Sequence, residues 1–130
     1  IDASLGMIDK RRPQPNVAKV MNVIGEVKDR DVVLVDDMID TAGTLTAAAE
    51  AIRDRGAKRI WAYATHGVFS GPAIERITQS PIDRVVVTNS IPLSPAAREC
   101  SKITQVSIAP LIAEAIRRIH HGDSVSSLFV

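Results

Sequence analysis

Short β-branched runs alternate with segments of helical period, and this alternation predicts an α/β fold: a mostly parallel sheet with helices on both faces. Two further observations point the same way. The run Val32 to Val35 is apolar throughout, as expected of a strand covered on both sides. Gly56, Pro72, Pro110 and Gly122 stand where helix-like and strand-like segments meet. At 130 residues the chain makes a single domain, residues 1–130.

Taken in order, the first strand is expected over Leu5 to Asp9. From Lys10 to Asn16 two prolines interrupt every regular period, which predicts a loop. Val20 to Ile24 predicts a short strand that turns near Asp29 and Arg30 into a central strand over Val32 to Val35. Leu45, Ala48, Ala49 and Ile52 recur at helical spacing, and Gly56 is placed to end that helix in the left-handed region. Strands are expected again at Arg59 to Thr65, Arg84 to Thr88 and Ile103 to Ile108. Between the first two of these, a helix begins near Pro72, capped by Ser70 or Gly71, with Ile74 and Ile77 inward. The last helix opens at Pro110, is expected to bury Leu111, Ile112, Ala115, Ile116 and Ile119, and stops before Gly122. Arg117, Arg118, His120 and His121 at its end admit a reading as an anion site, but positive groups near a helix C-terminus are favoured by the dipole alone. The chain opens on Ile1 inside a strand-like stretch, so an upstream portion is expected.

Composition removes several classes of function. Sixteen Lys and Arg against fifteen Asp and Glu leave a net charge of +1, which lacks the excess of a general nucleic-acid or membrane-surface binder. One Trp, one Tyr and two Phe supply no stacking platform for single strands. No apolar run approaches the ~18 residues of a membrane span. The single Cys100 excludes an internal disulfide and fits a reducing, cytoplasmic setting. There is no P-loop, dinucleotide fingerprint or zinc-protease motif.

The chemistry concentrates in Val32 to Thr44, which reads Val-Val-Leu-Val-Asp-Asp-Met-Ile-Asp-Thr-Ala-Gly-Thr. An apolar strand delivers Asp36 and Asp37 to its carboxyl end, the edge where open α/β sheets bind ligands. Asp40, Thr41, Ala42, Gly43 and Thr44 then lead into the first helix. Ala42 and Gly43 allow close backbone approach, Thr41 and Thr44 offer hydroxyls, and the amides of a helix start face outward, a combination suited to a phosphate. Hydrogen bonds to a charged group are worth about 1.5–3 kcal/mol each, against about 0.3–1 kcal/mol for the dipole. Several donors therefore outweigh the macrodipole. Two carboxylates beside such a cup match the vicinal hydroxyls of a ribose. The plainer alternative is that the acids make turn contacts while Asp40 or Thr41 caps the helix.

These thirteen residues resemble the phosphoribosyl-diphosphate binding motif of the phosphoribosyltransferase-type fold. Ile8-Asp-Lys-Arg-Arg-Pro, Val20-Met-Asn-Val-Ile-Gly, Ala64-Thr-His-Gly-Val-Phe-Ser-Gly-Pro-Ala, Pro110-Leu-Ile-Ala-Glu-Ala-Ile-Arg-Arg-Ile-His and the Ser-Val-Ser-Ser-Leu-Phe tail extend the likeness. Together they resemble the carboxy-terminal half of the ribose-phosphate diphosphokinase family. The resemblance implies transfer of the diphosphoryl group of ATP to the C1 hydroxyl of ribose 5-phosphate, with Mg2+. It implies Lys10 and Arg12 as catalytic residues, Arg12 also contacting ribose 5-phosphate, and Asp36, Asp37, Asp40, Thr41, Ala42, Gly43 and Thr44 as the sugar-phosphate site. It further implies a hexamer, with the nucleotide site largely outside this chain, so that the chain alone is inactive.

Mobile cations suit diphosphoryl transfer, which concentrates charge on phosphate oxygens. A phosphoribosyltransferase that consumes the diphosphate, or a non-catalytic paralogue, are the competing readings. Intact Lys10, Arg12, Asp36 and Asp40 weigh against the paralogue. His66 is expected to be structural, because no carboxylate or nucleophile is spaced to make it a base. Ser124, Ser126 and Ser127 fall in a tail that the family uses near a regulatory anion site, although terminal serines are usually just solvated.

Overall fold

Nine residues of apolar and acidic strand, Asp31–Ile39 (β3), open a parallel sheet that continues in spatial order through β4 (Arg59–Gly67), β5 (Arg84–Thr88) and β6 (Ile103–Val106). The computed structural model describes residues 4–11 and 20–129. Before β3, strands β1 (Met7–Arg11) and β2 (Val20–Ile24) pair antiparallel as a separate ribbon. Parallel neighbours need a crossover, and helices α1 (Gly43–Asp54), α2 (Ala73–Gln79) and α3 (Pro95–Glu99) supply one between each pair. Helix α4 (Ala109–His121) and a 3-10 turn (Ser126–Phe129) follow β6.

The core lies against one face of the sheet. Ile60, Ala62 and Ala64 alternate inward on β4, and Val85 and Val87 do so on β5. Ala48, Ala49 and Ile52 of α1 and Ala73 and Ile77 of α2 are buried with them. The small residues on β4 let the helices sit close. Helix α1 ends as expected: Gly56 takes φ +90° and its N–H donates to the Arg53 carbonyl at 2.9 Å. Arg53 then ties this corner to the next loop, donating to the Lys58 carbonyl at 2.7 Å and the Pro81 carbonyl at 3.0 Å.

Several expectations need correction. The first strand lies over Met7–Arg11, not Leu5 to Asp9, so the backbone of Lys10 and Arg11 belongs to the ribbon rather than to a loop; Lys10 stands in register with Met21. The pairing ends at Arg11, ahead of both prolines in the sequence. Arg12 to Asn16 lie outside the described residues. The strand expected to be central, Val32 to Val35, sits instead at the edge of the sheet among the described residues, with Val33 54% and Val35 80% exposed.

The last helix forms where expected and stops at Gly122, which takes φ +74°. None of its residues is buried, so the expected burial of Leu111, Ile112, Ala115, Ile116 and Ile119 does not occur. Pro72 is the residue before α2, not its first, and Ser70 does not cap that helix through its side chain. Helix α3 was not anticipated, although Ser94-Pro95 is a usable start signal: the Ser94 hydroxyl accepts from the Ala97 N–H at 3.2 Å.

Candidate functional site

Asp36 and Asp37 occupy the carboxyl-terminal part of β3, and both are exposed. The Asp37 N–H donates to Asp36 Oδ1 at 2.9 Å, which holds the first carboxylate against its own strand. Ile39, 2% exposed, anchors the strand end in the core. The chain then turns through Asp40 and Thr41 into Ala42, the residue flanking the start of α1.

Ala42 is the unusual residue of this turn. It is buried and left-handed, at φ 58° and ψ 4°, a region that costs a non-glycine residue roughly 1–2 kcal/mol. Ala42 itself occupies the cap position and its methyl offers no acceptor, so neither Asp40 nor Thr41 stands where the plainer reading put the cap. The Ala42 carbonyl accepts the Thr46 N–H at 2.9 Å and the Thr46 hydroxyl at 3.0 Å, fixing the first turn of α1 from inside. An observed strain of this kind is typical of ligand-gripping turns.

A cleft of about 220 Å³ is lined by Asp36, Met38, Ile39, Asp40, Thr41, Ala42, Gly43, Thr44 and Leu45. Of the residues named from sequence for the sugar-phosphate site, Asp36, Asp40, Thr41, Ala42, Gly43 and Thr44 line this cleft, whereas Asp37, the next residue on β3, does not. The side chain of Lys10, and Arg12 altogether, lie outside the described residues. A larger cleft of about 590 Å³ separates the ribbon from the start of β3. It is lined largely by apolar residues, and of its charged ones Arg30 pairs with Glu26 and Asp31 with Arg59. Free charge for an anion is therefore absent there among the described residues, and the smaller cleft is the better candidate.

The turn is gripped from one side by the segment after β4. The Val68 and Phe69 N–H groups donate to the Ile39 carbonyl, both at 3.0 Å, and the Ser70 N–H donates to the Asp40 carbonyl at 3.1 Å. The Ser70 hydroxyl donates to Asp40 Oδ1. From α2, Arg76 Nη1 donates to the Thr41 carbonyl at 2.9 Å. A Cβ on Gly43 would lie 3.1 Å from that same nitrogen, so Gly43 makes room for a guanidinium as well as for close backbone approach. Sequence reasoning missed Arg76, which no motif marks, and read Ser70 only as a helix cap.

His66 lies in register with Met38 at the end of β4, and its Nδ1 is 2.9 Å from Ser90 Oγ. The Ser90 and Thr88 hydroxyls both donate to the Thr65 carbonyl, at 3.0 and 2.7 Å. These bonds tie the ends of β4 and β5 together, with His66 held at Nδ1. The tail is fastened too: Arg118 donates to the Ser124 carbonyl at 3.0 Å and to the Ser127 hydroxyl. Among the described residues no three His, Cys, Asp or Glu gather in a group that could hold a metal. No described helix is long and apolar enough to cross a membrane.

Comparison with known proteins bears on the family and the fold. The chain is 60% identical over 129 residues to a ribose-phosphate pyrophosphokinase of Xanthomonas axonopodis pv. citri, covering 99% of this chain and 40% of that protein. The same enzyme of Caldanaerobacter subterraneus subsp. tengcongensis is 61% identical, again over 99% of this chain and 40% of that protein. This chain therefore spans about two fifths of the length of the curated relatives it matches. A crystal structure of phosphoribosylpyrophosphate synthetase from Mycobacterium smegmatis superposes with a TM-score of 0.74 at 40% identity, covering 79% of this chain and 34% of that one. A family model described as the phosphoribosyl synthetase-associated domain matches residues 6–130, and with a parallel sheet, a strained turn and a helix start arranged as above, the chain belongs to that family.

Proposed function

We propose that this chain is the sugar-phosphate-holding part of a ribose-phosphate pyrophosphokinase, forming one domain in the carboxy-terminal half of a longer enzyme. In the complete enzyme the C1 hydroxyl of ribose 5-phosphate gives up its proton to solvent as its oxygen bonds to the β phosphorus of ATP. The bond from that phosphorus to the bridging oxygen of the α phosphate breaks, and AMP leaves. The observation that carries the reading is the left-handed turn at Ala42, which leads from exposed Asp36 and Asp37 directly into the start of α1.

In this reading Asp40, Thr41, Ala42, Gly43 and Thr44 seat the 5-phosphate, and Asp36 and Asp37 accept hydrogen bonds from the ribose hydroxyls. Lys10 and Arg12 supply positive charge as negative charge builds on the transferred group, and Arg12 also contacts the sugar phosphate. Mg2+ suits the donor set, since it takes one or two carboxylates together with substrate phosphates rather than a full protein cage. Asp36 and Asp37 are the carboxylates that would hold it. When bound, the ion neutralises phosphate charge. ATP binding falls largely to the rest of the enzyme and to a neighbouring subunit of a hexamer, so the isolated chain is inactive; the setting is cytoplasmic, with no nucleic-acid or membrane partner.

Two substitutions in the complete enzyme test the assignment. Lys10→Ala is expected to lower kcat by about a hundredfold or more with little change in KM for ribose 5-phosphate, because its charge acts in the transition state. Asp36→Ala is expected to raise that KM by about tenfold, the worth of one hydrogen bond to a charged group. Equal losses of both constants in both variants would overturn the division of roles, as would ATP-dependent AMP release by the 130-residue chain alone.

A further inference from the structure

Three consecutive carbonyls in the turn, those of Ile39, Asp40 and Thr41, accept hydrogen bonds from the single segment that runs from Val68 to Arg76. In a trans peptide the C=O and the following N–H point in opposite directions. Fixing these carbonyls toward the Val68 to Arg76 segment therefore turns the N–H groups of Asp40, Thr41 and Ala42 to the other side. Ala42 does not account for this, since it is strained and its methyl cannot cap α1. The orientation has to be imposed from outside.

We infer that Arg76 and Ser70 are positioning residues that present the turn's amides to a phosphate ester, an inference that rests on the sugar-phosphate reading above. Arg76 is well placed for the task. Its helix is seated in the core by Ala73 and Ile77, both fully buried, so the guanidinium is delivered from a fixed base. It donates to the Thr41 carbonyl at 2.9 Å, and a cation on a carbonyl polarises the whole peptide and strengthens the Ala42 N–H as a donor. Gly43 is what lets the guanidinium come so near. Ser70 acts one peptide earlier with two bonds: its N–H holds the Asp40 carbonyl at 3.1 Å, and its hydroxyl aims the Asp40 carboxylate. That carboxylate is thereby drawn aside from the anion, where its own charge would repel.

The test is steady-state kinetics of the complete enzyme, with inorganic phosphate as a competitive probe of the cup. Arg76→Ala is expected to raise both the KM for ribose 5-phosphate and the inhibition constant of phosphate by about tenfold, with kcat changed less than about threefold. Arg76→Lys, which can still donate to the Thr41 carbonyl, should recover most of that loss, whereas a purely structural role in α2 would give no such split and no such rescue. Ser70→Ala should raise the same KM by about threefold, and it decides the matter if Arg76→Ala does not fold. An unchanged KM in either folded variant overturns the inference. If Asp36→Ala raises KM while Arg76→Ala and Ser70→Ala do not, only the positioning role is lost. If none of the three variants moves it, the sugar-phosphate site itself is wrong.

Discussion

Helices α1 and α4 are 12 and 13 residues long and both carry an apolar stripe, yet α1 buries Thr46, Ala48, Ala49 and Ile52 while no residue of α4 is buried. Ile112, Ile116 and Ile119 of α4 stand 49%, 62% and 69% exposed. The difference is one of connection. Helix α1 joins two neighbouring parallel strands, so the crossover lays it on the sheet whatever its exact composition. Helix α4 joins no strand to a later one among the described residues, and its stripe is left facing outward. Helical periodicity reports that a face is fit for cover; topology decides whether cover is there.

The widest gap between the two helices should appear on truncation. Ile52→Ala removes a side chain only 1% exposed, and a loss of about 2–5 kcal/mol is expected from such a cavity. Ile116→Ala, at the half-exposed centre of α4, should change stability by no more than about 0.5 kcal/mol. Urea midpoints of the two variants of this chain measure the contrast, and similar losses would mean that α4 is packed after all.

A smaller effect is expected at the start of α1. Ala42→Gly relieves a left-handed strain of roughly 1–2 kcal/mol but gives up the burial of one methyl, about 0.8 kcal/mol. The net expectation is a gain of at most about 1 kcal/mol, read from the same midpoints. A clear loss instead would show that the turn is not strained at this residue.

The smallest effect belongs to α4. Hydrogen bonds from Arg117, and then Arg118, hold the Glu114 carboxyl at about 2, below the ordinary 4.5. Because the folded value is the lower one, the contribution is complete above the ordinary value and is lost as pH falls toward about 2. Helical circular dichroism should therefore decline over that acid window, and Glu114→Gln should flatten the decline. An identical acid profile in the variant would detach the helix end from this carboxylate.

Much of the architecture was legible in the sequence because it depends on local signals. Gly56 and Gly122 closed their helices in the left-handed region as expected, and the Val32 to Thr44 run gave a strand, a turn and a helix in that order. Neighbour relations were less legible. Val-Val-Leu-Val reads as a doubly covered strand, but whether a second strand lies beside it depends on pairing that the run does not encode. Within the site, the acids and the small residues were marked by type and spacing. Arg76 was not, since it sits more than thirty residues from the turn and meets it only through the fold of β4 and α2.

The edge position of β3 has a practical consequence for anyone handling this polypeptide by itself. One rim of a nine-residue strand is left without a ladder partner among the described residues, flanked by exposed Val33 and Val35. Such a rim is an open invitation to intermolecular pairing. Light scattering of the isolated polypeptide is therefore expected to rise with concentration, and a charged residue in place of Val35 is expected to suppress that rise.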